Sequence, residues 1–343
     1  MNPEPMRLNY SQVIAAIQRE NQNQQDRGSL RNHQCHARFL FHAQPTSKVV
    51  LLFHGFTAGP YQWARIDQEL FQAGYNVLVP LLPGHGLEGS WDWNSPPPLP
   101  LHPSIYQDFA LRWLKRSRVF GQQIIVGGLG AGATLAAWLS LTYPQQVDRC
   151  LLLAPYWQDS NSVVDLFIRN PSQHQSRDHL SRDASSRKHS SRDYCMWVLP
   201  QTVPALFGYG GFASQALQPW LELAEDLLEQ AMLQKAPPLL LVTSESDRAL
   251  NCSSISFFLH QVRQTQSQAW HLSFNRVLDL GYALMTQARG NHYESQLVRL
   301  IKQYVKLALD MPQAKPGTCR IMVRVPHQEE VGNSPGVTDS SSN

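Results

Sequence analysis

The sequence predicts an α/β fold, an open and largely parallel sheet with helices on both faces and an extra unit inserted late in the chain. Three observations lead there. Short apolar runs alternate with stretches of helical spacing over most of the sequence, as in sheets built from crossover units. Runs such as Val49-Val50-Leu51-Leu52-Phe53 are apolar throughout, the mark of a strand buried on both faces. A glycine-rich turn, Gly128-Leu129-Gly130-Ala131-Gly132, joins one such run to a helical stretch.

Residues 8–20 are expected to form a helix with Val13, Ala16 and Ile17 on one face. The polar stretch from Asn21 to Arg31 should separate it from a first strand between Ala37 and His42. Pro45-Thr46-Ser47 reads as a turn before the strand at 49–53. The spacing then predicts a helix at 61–73, a strand at 76–79, a helix at 104–116 and a strand at 123–126. A helix at 131–140 and a strand at 150–153 follow. After a long excursion come a strand at 239–243, a helix at 253–262, a strand at 271–277 and a helix at 293–309.

The expected division is a helical extension over 1–36, a core over 37–155 and 237–311, a cap over 156–236 and a disordered tail over 312–343. The excursion is too long for an ordinary connection. Its middle, 172–193, repeats Ser-Arg-Asp at Ser176, Ser181 and Ser191 and is almost devoid of apolar residues, so a mobile loop is expected there. Around it stand Trp157, Phe167, Trp197, Phe207, Tyr209, Phe212 and Trp220, and 217–233 has helical spacing. These are the makings of a cap over the carboxyl edge of the sheet. The tail from Pro312 is rich in Pro, Gly and Ser.

The 343 residues, 43% of them hydrophobic, suffice for a substantial core. Opposed by 26 acidic side chains, the 29 basic ones leave a net charge of only +3, too little to point to nucleic acid. Five scattered cysteines without C-x-x-C spacing read as free thiols. The N-terminus carries no signal-peptide pattern and no run is long and apolar enough for a membrane span, so a cytoplasmic protein is expected. His33, Cys35 and His36 match no common zinc spacing. No metal and no cofactor is expected.

Four segments carry a resemblance that covers roughly Lys48 to Leu309. His54-Gly55-Phe56 ends the first buried strand, and Pro83-Gly84-His85-Gly86 follows the next. Gly128 to Gly132 lies between strand and helix, and Leu239-Leu240-Leu241-Val242-Thr243 is followed by Asp247. In order and spacing these resemble an α/β-hydrolase of the carboxylesterase and monoacylglycerol-lipase type. The resemblance implies an α/β-hydrolase fold and a serine–histidine–acid site. It also implies that the amides of Phe56 and Ala131 form an oxyanion hole and that Asp247 is the acid. Gly130 stands where the serine belongs, and it has no side chain to attack a carbonyl. The position of the histidine falls on Tyr282, in Leu280-Gly281-Tyr282-Ala283, with His292 as the other candidate base; Glu245 is the lesser alternative to Asp247.

The function so implied is a catalytically silent relative of ester hydrolases that binds an apolar or acyl small molecule, or a partner protein. A weak hydrolase using water, Asp247 and His292 is the second reading. A third arises because Gly128 to Ala133 also satisfies G-x-G-x-x-A, the dinucleotide fingerprint. The next strand, however, ends Leu153-Ala154-Pro155 without the carboxylate that would hold a ribose. Thr134 is expected to be structural, His54 and His85 to make structural hydrogen bonds, and Cys252 to be inert.

Overall fold

The structure, a computed structural model, describes residues 9–27, 30–157, 194–196, 207–247, 251–266, 268–278, 280, 294–306 and 318–321. The first helix, α1 (Tyr10–Arg27), runs through the polar stretch expected to end it. Val13 and Ile17 are buried as one stripe, but Ala16 is exposed. Tyr10 and Ile14 pack beside them, so one apolar face docks the helix and its polar end need not stop it.

Strand β1 (Arg38–Leu40) is antiparallel to β3 (Asn76–Val79), at the edge of the sheet. Beside β3 lies β2, which spans Thr46–Phe53 and absorbs the expected turn at 45–47. Its partner on the other side is β4 (Gly121–Leu129), from Thr46↔Gly121 to Phe53↔Gly128. Then come β5 (Arg149–Leu153), β8 (Leu239–Ser244) and β9 (Ala269–Phe274), all parallel. Beyond β9 the sheet continues in β10 (Thr318–Ile321), parallel to it from Thr318↔His271 to Ile321↔Phe274. The sheet order is β1-β3-β2-β4-β5-β8-β9-β10.

β10 places residues 318–321 of the tail in the sheet, and the rest of 312–343, expected to be disordered, lies outside the described residues. The edge of β9 offers unpaired backbone groups, and a short β-prone segment can pair there despite its polar surroundings. A correction concerns the strand expected at 271–277. It ends at Phe274 and gives way to a 3₁₀ turn over Arg276–Leu278.

Helix α2 (Ala64–Gln72) follows a short 3₁₀ turn, and α3 (Pro103–Ser117) begins with proline at its first position. Helix α4 (Ala131–Thr142) is apolar all round and buried along nearly its whole length, as expected of a helix held between sheet and further helices. α5 (Gln218–Leu233) packs on α3 and α4. α6 (Cys252–Thr265) is capped by the Asn251 side chain, which accepts from the amides of Ser253 and Ser254. α7 (Glu294–Lys306) packs on α2. Cys150 Sγ reaches Ala136 O of α4 on one face, and its neighbour Arg149 meets Tyr304 of α7 on the other.

The excursion after β5 contains a two-stranded antiparallel sheet that the sequence did not announce, β6 (Tyr194–Met196) with β7 (Gly211–Ala213). The expected mobile loop at 172–193 lies outside the described residues, as do Phe167 and Trp197.

Candidate functional site

Leu129 ends β4 and Ala131 opens α4, leaving Gly130 alone between them with φ 59° and ψ −120°. Side chains are strained in this region of the backbone map, and glycine is not. The Gly130 amide donates to Leu153 O at 2.9 Å. Its carbonyl accepts from the amides of Ala133 at 2.9 Å, Thr134 at 3.1 Å and Tyr156 at 3.2 Å. The turn is therefore held mainly through main-chain atoms, with Thr134 Oγ1 also 3.4 Å from Gly130 O. Thr134 Oγ1 donates to Tyr156 O at 2.6 Å, the structural role expected of it.

The flanking glycines are required by close approach. A Cβ on Gly128 would meet the Gly132 carbonyl oxygen at 2.0 Å, and one on Gly132 would meet the carbonyl oxygens of Phe53 and His54 at 2.4 Å. Strand β4, helix α4 and the end of β2 thus approach one another more closely than any side chain permits. This contact accounts for the G-x-G-x-G spacing without a nucleotide.

Beside the turn, β2 runs into His54-Gly55-Phe56-Thr57. His54 is fully buried. Its Nε2 accepts from the Leu82 amide at 3.0 Å, and its Nδ1 lies 3.0 Å from Gly55 O. Both contacts are satisfied by a neutral ring with the proton on Nδ1. Burial, and then the nearby His85, hold its pKa well below the usual histidine range. Thr57 has φ 58°, strained for a β-branched residue. Ala154, directly after β5, has φ 43°. Strained residues thus lie on both sides of Gly130. Among the described residues, the amides of Phe56 and Ala131 make no hydrogen bond outside the regular helices and strands.

His85 is also buried, and its Nδ1 lies 2.9 Å from Pro83 O. A carbonyl can only accept, so the proton sits on Nδ1 and the pKa, lowered by burial, falls to about 4. Around His85 stand Phe56, Tyr106 and Tyr209, with ring centroids 6.1, 6.5 and 6.4 Å away. Phe56 also meets Phe212 edge-on at 4.8 Å and Trp220 at 6.2 Å.

Tyr209 ties this region together. Its amide donates to Thr57 O at 2.8 Å. Its hydroxyl donates to Gly84 O and accepts from the Leu87 amide, both at 2.9 Å. Gly208 beside it has no room for a side chain, since a Cβ would lie 2.3 Å from Thr57 O. Sequence reasoning placed Tyr209 among the cap aromatics and missed this role, for which spacing carries no signal. Cys35 Sγ adds a tie to Phe207 O at 2.9 Å.

Asp247 follows β8 and is 8% exposed, its amide donating to Ser244 O at 3.2 Å. It leaves the same carboxyl edge as Gly130, because Leu153, at the end of β5, pairs with Val242 of β8. Glu245 accepts from the Arg276 amide at 3.3 Å. Tyr282 and His292 lie outside the described residues. Cys252 is an exposed free thiol at the start of α6, away from the turn. No group of three His, Cys, Asp or Glu among the described residues could hold a metal, and no helix among them is long and apolar enough to cross a membrane.

A mostly parallel sheet covered on both faces, with a tight strand–turn–helix at its centre, defines an α/β protein with its candidate site at the carboxyl edge of the strands. The model of the alpha/beta hydrolase family matches residues 49–294, and the chain belongs to that family. It is related to lipases and esterases. Over 111 residues it is 32% identical to a thermostable monoacylglycerol lipase of a Bacillus species, a match covering 30% of this chain and 39% of that protein. Over 113 residues it is 26% identical to a putative esterase/lipase of Mycoplasma pneumoniae, covering 33% and 38%. The matched part thus spans under two fifths of either relative. Among solved structures, a metagenome-derived lipolytic enzyme aligns with TM-score 0.58 at 12% identity, over 80% of this chain and 98% of that one. A Paleococcus ferrophilus monoacylglycerol lipase aligns with TM-score 0.55 at 12% identity, over 78% and 98%.

Proposed function

We propose that this chain is a catalytically silent relative of ester hydrolases that keeps a binding pocket for an apolar or acyl small molecule between the sheet edge and the cap. One observation carries the reading. The apex of the turn after β4 is a glycine at φ 59°, so the nucleophile position holds no oxygen. In this reading Phe56 and Ala131 supply the oxyanion amides, Asp247 stands in the acid position, and Tyr282 or His292 stands where the base belongs. The dinucleotide reading is not carried forward, because backbone contacts already require Gly128 and Gly132 to be glycine.

The two amides favour a second reading, slow hydrolysis by water activated through Asp247 and His292. Triads stripped of a member retain about 10³–10⁴-fold catalysis over water. The test uses p-nitrophenyl esters of short and medium acyl length together with a fluorophosphonate probe. The natural chain should show no labelling and near-background turnover. Gly130→Ser should restore labelling alone if His292 is the base, or only together with Tyr282→His if the base is lost as well. Brisk ester hydrolysis by the natural chain would refute the silent reading.

A further inference from the structure

We propose that the base of the sheet, opposite the Gly130 turn, holds a binding site for a phosphate-sized oxyanion centred on Arg149. Arg149 opens β5 and is 1% exposed. Its Nε, Nη1 and Nη2 are all buried without a hydrogen-bond partner. The guanidinium carbon lies 5.5 Å from the centroid of the Tyr304 ring. The Tyr304 hydroxyl lies 2.9 Å from the carbonyls of both Cys150 and Pro238, and as an uncharged group it cannot neutralise the guanidinium. A guanidinium does not escape burial by losing its proton. A ring face offsets only part of the desolvation, and an uncompensated buried charge is strongly destabilising. The group therefore requires an anion.

A second cation points to the same place. Lys48 pairs in register with Gln123, and Arg149 with Ile125. Gln123 and Ile125 are two residues apart on β4, so Lys48 and Arg149 project from one face of the sheet. This is the face on which Tyr304 of α7 lies. Lys48 Nζ stands 5.6 Å above the Tyr75 ring, and after burial the Arg149 charge is what lowers its pKa. No ion pair among the described residues includes either cation. The carboxylate next to Arg149 in the chain, Asp148, accepts from the Ile124 amide at 2.7 Å; on α2 and α7, Glu69 pairs with Lys302 at 2.7 Å and Glu294 with Arg65 at 2.8 Å.

Tyr75 also lines a groove of about 570 Å³ between α2 and α7, where Arg65, Arg299, Lys302 and Lys306 outnumber the one carboxylate, Glu69. A tetrahedral oxyanion can give two oxygens to the guanidinium fork and a third to the ammonium. The site is separate from the candidate active site. Arg149 begins β5, and Gly130 is bonded to Leu153 at the strand's other end, about 13 Å along it.

The test is equilibrium dialysis of the full chain with labelled inorganic phosphate, together with thermal unfolding in phosphate and in chloride at matched ionic strength. The natural chain should bind one equivalent and melt higher in phosphate, by about 5 °C near a hundredfold excess over Kd. Arg149→Met should abolish binding and the phosphate response, and in chloride should melt no lower than the natural chain. Lys48→Gln, at a partly exposed position, should fold normally and bind about tenfold more weakly. Absence of binding to the natural chain would overturn the proposal, as would undiminished binding by Arg149→Met. So would an Arg149→Met protein that melts well below the natural chain in chloride, because the guanidinium would then be satisfied by the fold itself.

Discussion

Tyr209→Phe removes one oxygen and leaves the ring, so it tests the link between the segment after β5 and the loop at 84–87 without opening a cavity. The lost hydroxyl makes two hydrogen bonds of 2.9 Å, to Gly84 O and from the Leu87 amide. Tyr209 is 2% exposed, while Gly84 and Leu87 are half-buried. Each bond contributes about 0.5–1.5 kcal/mol net, and more where the abandoned partner cannot reach water. The sum is about 2 kcal/mol, or a midpoint lowered by roughly 3 °C at this chain size. Urea titration gives the free energy, provided that the slope of the transition is unchanged. Hydrogen exchange at the Leu87 amide gives the location, since this amide should lose its protection while that of Leu82, held by His54, keeps its own. A loss below about 0.5 kcal/mol together with an unchanged Leu87 amide would refute the reasoning.

Three further outcomes follow from the same region. Gly132→Ala should prevent folding or cost more than about 3 kcal/mol, because its Cβ would sit 2.4 Å from two carbonyl oxygens that belong to the sheet; soluble yield and denaturation midpoint read this. Gly130→Ala puts a side chain at φ 59° and should cost about 1–3 kcal/mol in backbone strain by the same denaturation measurement, leaving the fold intact. His85 gives a pH dependence with a definite sign. Its folded pKa is about 4 against an ordinary histidine value of 6.5, so below pH 6.5 the unfolded chain takes up a proton that the folded chain refuses. Its contribution is complete above that value and is lost as pH falls toward 4, by about 3 kcal/mol in all. Stability measured from pH 7 to 4 should fall less steeply in His85→Gln than in the natural chain.

Much of the fold was legible because the central strands are apolar on both faces. Runs such as 49–53 and 239–243 bury every side chain, and no alternative to a parallel interior strand fits them. The edges were legible only in part. Thr46 and Lys48 join β2 although their side chains are polar, since the backbone register with β4 decides membership there. β10 and the β6–β7 pair are short and surrounded by polar or breaker residues, so pattern gave no sign of them. At the site, the glycine turn and the His54-Gly55-Phe56 segment stood out because close backbone approach restricts which residues can occur. The Tyr209 clamp and the buried Arg149 did not. Each depends on contacts between residues more than a hundred positions apart, and neither leaves a local period to read.

The strain pattern bears on how a glycine at the apex can persist. In a turn of this shape a side chain at the apex costs energy, so replacing it by glycine relaxes the fold. Yet Thr57 and Ala154 remain at positive φ on either side. Their conformations are not set by residue 130. Thr57 is held by the Tyr209 amide, and Ala154 by its own amide, which donates to Val242 O at 2.8 Å. Gly130 itself is fixed by bonds to Leu153 and Tyr156. The conformation of the turn is thus maintained by the sheet and the segment after β5, mostly through main-chain atoms, and does not depend on a side chain at residue 130. A substitution at residue 130 can therefore leave the neighbouring strands and the amides of Phe56 and Ala131 in place.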